Sequence, residues 1–154
     1  MIKIISFLFS TKKQLIFLYR ISHYLITKEN KLLNQLVKVL TYMQHILFGC
    51  YIHPKCIIGK NVNFPHPVGI VIGENVRIGN NVTIFQNVTI GSHGKMGQKK
   101  AYPSIGDNVK IFAGAVVIGD ISIGSNSIIG ANSVVTKDVQ PYTTVAGVPA
   151  KKIS

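Results

Sequence analysis

Acidic side chains are scarce in this sequence. Its 154 residues include five Asp and Glu against 17 Lys and Arg, which gives a formal net charge of +12 at pH 7. An excess of this size predicts an anionic partner, such as a polyphosphate-bearing cofactor, an acidic glycan or an acidic lipid surface. Nucleic acid is not predicted as a partner, because no basic run with interleaved aromatic residues and no nucleic-acid-binding motif occurs.

Tryptophan is absent, and cysteine is limited to Cys50 and Cys56. The two cysteines lie one hexapeptide apart, which would place them on adjacent faces of the repeat described below. We therefore expect reduced thiols in a cytoplasmic chain and not a disulfide bond. No cluster of Cys, His, Asp and Glu has the spacing of metal ligands, so no metal site is predicted.

A long hydrophobic run is also missing. The apolar stretch 2–9 is too short for a membrane span and lacks a small-residue cleavage site, so neither a span nor a signal peptide is predicted. Residues 1–48 instead have helical spacing, with a break at Glu29–Asn30 and a stop at Gly49. We expect this helical segment to cap the open end of a β domain or to pack between subunits. Peripheral contact with the inner face of a membrane is the open alternative.

What the sequence has in abundance is an aliphatic residue at every sixth position. Gly often follows this residue and Asn stands two positions further on, and we expect both at corners because they tolerate positive φ. Three hexapeptides then close one triangular coil, and the coils stack at roughly 4.8 Å. The predicted fold is an all-β parallel β-helix with a short N-terminal helical segment. This register, called here the aliphatic register although it includes the aromatic Phe64, comprises Ile52, Ile58, Phe64, Ile72, Ile78, Ile84, Ile90, Ile105, Ile111, Val117, Ile123, Ile129 and Val135.

Domain boundaries follow from this register. The helical segment covers residues 1–48, the β-helix covers 49–146, and a C-terminal tail covers 147–154. Two extra residues, assigned to Ile70–Val71, interrupt the repeat once. The stretch 91–104 breaks it again with glycines and basic residues, and an excursion loop of this length within a regular solenoid predicts a functional role.

Counting three hexapeptides per coil puts four residues on one corner ladder: His66, Gln86, Ala113 and Ala131. The two alanines leave a shallow groove for a narrow, extended ligand. The excursion loop could fold over this groove, with its backbone N–H groups free to bind a carbonyl or a phosphate. Pro65 and Pro67 restrict the backbone around His66. Because imidazole exchanges protons near neutral pH, His66 is suited to take a proton from a hydroxyl.

Three segments resemble the serine acetyltransferases of the hexapeptide-repeat acyltransferase family: 64–74 (FPHPVGIVIGE), 84–91 (IFQNVTIG) and 146–151 (AGVPAK). The resemblance implies a left-handed β-helix, a homotrimer with active sites between subunits, and acetyl-CoA as the donor. It also implies that His66 is the general base. The cofactor contacts that it implies, with the tail lysines as phosphate partners, are Ser92, His93, Gly94, Ala113, Gly114, Ala131, Lys151 and Lys152.

The sequence departs from the family pattern on the acceptor side. Tyr51 stands where the family has an Asp that supports the catalytic His, and Pro65 replaces an acidic residue. Ala101–Tyr102 replace an Arg–His pair that handles serine. We assign Tyr51 and Tyr102 to acceptor binding, and Gln86 or Glu74 to the orientation of the imidazole.

These departures favour one acceptor over another. A zwitterion needs charged partners at both ends. The replaced side chains therefore favour an acetyl-CoA-dependent O-acetyltransferase that modifies a sugar hydroxyl of a surface polysaccharide or its precursor, as in the short capsule and exopolysaccharide enzymes. L-serine O-acetylation in cysteine biosynthesis is the first alternative. A catalytically silent, trimeric β-helix scaffold is the second.

Overall fold

The computed structural model describes residues 10–94 and 101–154. Residues 1–9 of the predicted helical segment and 95–100 of the predicted loop lie outside these ranges. Two helices come first, α1 (Thr11–Ile26) and α2 (Lys31–Phe48). The side chain of Asn30 accepts hydrogen bonds from two backbone N–H groups in the first turn of α2, which ends at Gly49 in the left-handed conformation. The break and the stop predicted for the helical segment are confirmed.

Strands of two or three residues make up the regular structure of the remaining described chain. They are β1 (Tyr51–Ile52), β2 (Ile57–Ile58), β3 (Val71–Ile72), β4 (Arg77–Ile78), β5 (Thr83–Ile84), β6 (Thr89–Gly91), β7 (Ser104–Ile105), β8 (Lys110–Ile111), β9 (Val116–Ile118), β10 (Ser122–Ile123), β11 (Ile128–Ile129), β12 (Val134–Val135), β13 (Thr144–Ala146) and β14 (Lys151–Lys152).

The strands form three sheets that the chain visits in turn. Sheet 1 contains β1, β3, β6, β9 and β12; sheet 2 contains β2, β4, β7 and β10; sheet 3 contains β5, β8, β11, β13 and β14. Neighbouring strands are parallel apart from β13 and β14. Isolated bridges at Asn63 and Val139 complete the first and fifth coils. The predicted parallel β-helix of triangular coils is confirmed.

The aliphatic register fills the interior of the prism. In sheet 1 its members pair in register from coil to coil, and each is at most 2% exposed: Ile52, Ile72, Ile90, Val117 and Val135. Burying one such side chain contributes about 1.5–3 kcal/mol. The stacked columns are therefore the main source of stability for the coils, and they fix which residues face outward.

Asparagine and glycine have different roles at the corners, although positive φ was predicted for both. Asn61, Asn81 and Asn108 have φ of 54°, 56° and 58°. Gly106, which follows the aliphatic residue Ile105, does not have a positive φ. An added Cβ at Gly106 would lie 2.7 Å from the backbone nitrogen of Ser125 in the next coil. This glycine is required because the neighbouring backbone leaves no room for a side chain.

The two residues that exceed the repeat lie at His66–Pro67 and not, as predicted, at Ile70–Val71. Ile70 is fully buried in the core, and Val71 pairs within sheet 1, so both occupy regular positions. Regular stacking resumes at Val68, whose carbonyl accepts a 2.9 Å hydrogen bond from the N–H of Asn87. The chain bulges at the point where two prolines have no N–H to donate to a ladder.

The helix α1 closes the N-terminal end of the β-helix, as predicted for the helical segment. Its residues Leu15 and Tyr19 are fully buried in the same apolar cluster as the first coil. Neither described helix combines the length and hydropathy that crossing a membrane would need. Three side chains of α1 bond to backbone carbonyls of the first coil: Tyr19 to Cys56 (2.8 Å), Arg20 to Gly59 (2.6 Å) and His23 to Pro54 (2.7 Å).

Both cysteines should be inert in the folded protein. Cys50 and Cys56 are free and fully buried, and burial raises the pKa of both thiols, that of Cys56 to about 12. Because the thiolate is the reactive form, we expect no reaction with a disulfide reagent such as DTNB at neutral pH. Both thiols should react once guanidinium unfolds the chain. Fast labelling of the native protein would instead show that the first coil opens locally.

Candidate active site

His66 lies on the bulge that joins sheet 3 to sheet 1 in the first coil. Its backbone carbonyl accepts a 2.9 Å hydrogen bond from the N–H of Val68. The side chain is exposed and lines an open pocket of about 400 Å³ together with Leu47, Phe48 and Gly49 at the end of α2. The bulge and the helix end thus present the imidazole at the surface. No sequence pattern connects α2 with His66, so this neighbour was not predicted.

The corner ladder beside His66 is present but differs from the prediction at its first position. The N–H of Gly114 donates to the carbonyl of Gln86 (3.0 Å), and the N–H of Asn132 donates to that of Ala113 (2.9 Å). These bonds place Gln86, Ala113 and Ala131 on successive coils. Val68 completes the ladder where His66 was predicted, because the two extra residues come before Val68.

The same corner carries two features that the spacing does not reveal. The side-chain oxygen of Gln86 is buried and has no hydrogen-bond partner among the described residues. Phe85 and Phe112, which precede Gln86 and Ala113, stack with ring centroids 5.0 Å apart and an interplanar angle of 11°. Since a buried acceptor without a donor is costly, this corner lacks one hydrogen bond that a ligand or a neighbouring subunit could supply.

The predicted acceptor residues meet at the other edge of sheet 1, where it joins sheet 2. Burial raises the pKa of the Tyr51 hydroxyl, with further contributions from the nearby Glu74 and Tyr102. The Tyr102 ring covers Gly73, since a Cβ there would lie 2.9 Å from the ring. Glu74 forms a 3.0 Å ion pair with Lys55. We call Tyr51, Lys55, Glu74 and Tyr102 the acceptor cluster.

A cavity of about 670 Å³ opens beside the acceptor cluster, between α2 and the first coil. Tyr51 and Lys55 line it from the coil, and Lys38 lines it from α2. Asn34 also lines the cavity, and its side-chain oxygen is buried without a hydrogen-bond partner among the described residues. Glu29 lines the cavity as well, so it offers charged groups of both signs and an unsatisfied acceptor to a small polar molecule.

The excursion loop leaves the β-helix at the same edge as the acceptor cluster. Gly91 pairs with β9, and its carbonyl accepts a hydrogen bond from the N–H of Gly119 (3.1 Å). Ser92 and His93 are half-buried, and Gly94 has a φ of 65°. In its described part the loop thus lies away from the corner ladder of its own chain, which it was predicted to cover.

The predicted site residues consequently form two groups on opposite edges of sheet 1. His66 and the corner ladder lie where sheet 3 joins sheet 1, whereas the acceptor cluster and the loop lie where sheet 1 joins sheet 2. Glu74 pairs with Lys55 and is separated from His66 of its own chain by the width of the sheet. Orientation of that imidazole by Glu74 of the same chain does not fit this geometry.

The tail lysines close sheet 3 at the far end of the prism. In the antiparallel pair of β13 and β14, Lys151 lies opposite Ala146 and Lys152 opposite Val145. Both lysines are exposed and line a cavity of about 340 Å³ at the last coil. This cavity is well formed but remote from His66, which lies in the first coil.

Comparisons with known proteins agree with this architecture. Two family models match, the bacterial transferase hexapeptide (six repeats) over residues 102–137 and the hexapeptide repeat of succinyl-transferase over residues 55–86. The serine acetyltransferase of Staphylococcus xylosus is 46% identical over 129 residues, which cover 84% of this chain and 58% of that relative. The chain spans about half the length of the curated relatives it matches.

Solved structures give the same result. A serine acetyltransferase in complex with CoA is 40% identical, with a TM-score of 0.82 over 90% of this chain and 55% of that chain. Soybean serine acetyltransferase complexed with serine is 41% identical, with a TM-score of 0.82 over 88% of this chain and 54% of that chain.

These comparisons contradict the sugar acceptor that the sequence analysis preferred. The relatives are named serine acetyltransferases, which supports the alternative acceptor, L-serine. The preference was wrong because it assumed that a chain lacking the family's charged residues at positions 51, 65 and 101–102 would have no charged groups for a zwitterion. Other charged side chains lie close to Tyr51 in this structure, namely Lys38, Lys55 and Glu74.

The fold prediction is confirmed at the level of the family as well. The three parallel sheets and the short N-terminal helical region match the left-handed β-helix of the serine acetyltransferase structures. Hexapeptide models cover both halves of the prism. The chain therefore belongs to the hexapeptide-repeat acyltransferase family.

Proposed function

We propose that this chain transfers the acetyl group of acetyl-CoA to the hydroxyl of L-serine. The observation that carries the proposal is the likeness to serine acetyltransferases over 84% of the chain in sequence and 90% in structure. Two of the similar structures are complexes with CoA and with serine. The exposed imidazole of His66 and the charged acceptor cluster support the same assignment.

His66 is the general base in this proposal. Its imidazole accepts the proton of the serine hydroxyl while the hydroxyl oxygen attacks the thioester carbonyl of acetyl-CoA. The tetrahedral intermediate then collapses, the carbon–sulfur bond breaks, and the CoA thiolate takes the proton from the imidazolium. The unsatisfied oxygen of Gln86, one coil away, is the group that we assign to orienting either the ring or the bound cofactor.

Acetyl-CoA lies along the corner ladder in this proposal, where Ala113 and Ala131 present only methyl groups and Gly114 has no side chain. From the first coil to the fifth there are four steps of roughly 4.8 Å, or about 19 Å, which suits an extended pantetheine arm. Lys151 and Lys152 then lie at the phosphate end as point charges. The net charge of +12 favours the approach of this polyanionic cofactor.

We also assign the chain to a homotrimer with each active site between two subunits. The reason is that His66 and the acceptor cluster occupy opposite edges of sheet 1, so one chain does not bring them together. In a side-by-side arrangement the acceptor cluster of one subunit meets His66 of the next. The loop residues Ser92, His93 and Gly94 then reach the cofactor of the neighbouring ladder.

The acceptor cluster provides what a zwitterion requires. Glu74 is a partner for the ammonium group of serine, and Lys55 is a partner for its carboxylate. Tyr51 and Tyr102 add hydroxyl groups that donate or accept hydrogen bonds. A site with buried polar partners discriminates strongly against an analogue that leaves one of them unpaired. Because Lys55 and Glu74 are 55% and 36% exposed in one chain, this discrimination requires the neighbouring subunit to cover the cluster.

Purified protein with acetyl-CoA and L-serine should release CoA at an ordinary enzymatic rate, about 1–1,000 per second. Mass spectrometry should identify the product as O-acetyl-L-serine. Ethanolamine, which lacks the carboxylate, is the matched control, and its kcat/KM should be at least about 100-fold lower. Equal rates with the two acceptors would contradict the serine assignment. Absence of CoA release with either acceptor would favour the non-catalytic scaffold.

A further inference from the structure

We propose that the two helices α1 and α2 dock on an anionic membrane surface, with α2 lying in the plane of the interface. The docking surface, called here the α2 face, has five apolar residues at alternating spacings of four and three, which puts them on one side of the helix. These residues and their exposed fractions are Leu32 (79%), Leu36 (45%), Val39 (54%), Met43 (38%) and Ile46 (61%).

The opposite side of α2 packs within the chain. Val37, Gln44 and Phe48 are buried, as are Leu15 and Tyr19 of α1. The buried amide of Gln44 has no hydrogen-bond partner among the described residues. The α2 face is therefore a second apolar stripe on the same helix and not an unfinished part of the core. A contiguous apolar surface of this kind marks a site of interaction.

The charges around the α2 face select its occupant. Lys31 and Lys38 are exposed on α2, and neither helix contains an Asp or a Glu. The exposed cations of α1 are Lys12, Lys13 and Arg20, and the turn between the helices adds Lys28 and one acidic residue, Glu29. Pairing two copies of this surface would bring like charges together, whereas acidic lipid headgroups attract them. Each lysine near an anionic bilayer increases the affinity for the membrane about fivefold.

Exposed aromatic residues favour the same occupant. Phe17 and Tyr24 of α1 are 50% and 61% exposed, and the ammonium group of Lys28 lies 4.6 Å from the centroid of the Tyr24 ring. Tyrosine beside lysine is typical of the membrane–water boundary. In this proposal α1 and α2 lie on the membrane surface, with the α2 face toward the lipid. This inference does not depend on the proposed acetyl transfer.

Flotation of the full chain with vesicles tests the inference. We expect binding to vesicles of phosphatidylcholine with 30% phosphatidylglycerol, about tenfold weaker binding to phosphatidylcholine alone, and weakening by salt. Val39→Glu should lower binding to the anionic vesicles by at least about tenfold. The matched control is Ile57→Glu, which introduces the same charge at an aliphatic residue of β2 that is 47% exposed, and it should bind like the wild type.

Further variants separate docking from folding. If Val39→Glu does not fold, the exposed pair Lys31→Glu and Lys38→Glu replaces it, with an expected loss of at least about tenfold. Absence of binding by the wild type, equal binding to neutral vesicles, or equal binding of Val39→Glu and Ile57→Glu would overturn the inference. A drop in oligomer mass in solution for Val39→Glu but not Ile57→Glu would assign the α2 face to contacts between copies, which also overturns it.

Discussion

Replacing His66 with alanine is expected to lower kcat/KM for acetyl transfer to L-serine by about 10²- to 10⁴-fold, because the variant loses its general base. His66, which is flanked by two prolines, is exposed on the two-residue bulge, outside the buried columns. Its loss should therefore leave the melting temperature nearly unchanged. Steady-state kinetics and a thermal melt on the same sample separate the two effects.

The matched control is His45→Ala, which removes an exposed imidazole from α2. This variant should keep the kcat/KM of the wild type. Full activity of His66→Ala would show that another group takes the proton. If active sites lie between subunits, co-expressing His66→Ala with Tyr102→Ala should give more activity than either variant alone, because a mixed trimer contains one site with both residues intact.

Replacing Gly106 with alanine is expected to destabilise the β-helix by about 3 kcal/mol or more, because overpacking against backbone cannot be relieved by a side-chain rotation. The added Cβ would lie 2.7 Å from the nitrogen and from Oγ of Ser125, and 3.0 Å from the carbonyl oxygen of Ile123. For a domain of this size the loss corresponds to a fall in melting temperature of about 6–12 °C.

Gly91→Ala is the control for this prediction. A Cβ at Gly91 would meet no atom within 4 Å among the described residues, and its φ is not in the left-handed region. The change in stability should stay within about 0.5 kcal/mol. Melts at one protomer concentration make the two variants comparable, since assembly shifts the apparent stability. Equal melting temperatures for Gly106→Ala and Gly91→Ala would contradict our inference that Gly106 is needed for close stacking of the coils.

Much of the fold could be predicted because its determinants are local or strictly periodic. Each strand inserts one side chain into a narrow interior, so Ile72, Ile90 and Val117 had to be aliphatic and regularly spaced. Asn30 and Gly49 mark helix ends by bonds to their own backbone neighbours. The position of the bulge was missed because counting reveals an excess of two residues without locating them. The prolines on either side of His66 were the available signal.

The candidate site was only partly predictable because its parts come from separate coils. Gln86 and the alanine ladder followed from the period, but the stacked Phe85 and Phe112 did not. Lys55 and Glu74 lie 19 residues apart in sequence and pair because they are neighbours across one coil. The charged groups near Tyr51 do not occupy the positions where the family pattern has them, so the sequence comparison with that pattern did not reveal them.

The sequence by itself determined that this chain coils into a triangular β-helix, that helices precede it, and that a histidine between prolines stands on its surface. These properties depend on periodic burial and on short-range backbone restraints, and both can be recognised in the amino-acid sequence alone. Only the tertiary structure decided that His66 and the acceptor cluster lie on opposite edges of sheet 1, and that α2 leaves an apolar stripe uncovered. Both depend on which coils and helices pack together, and packing between distant segments has no local signature.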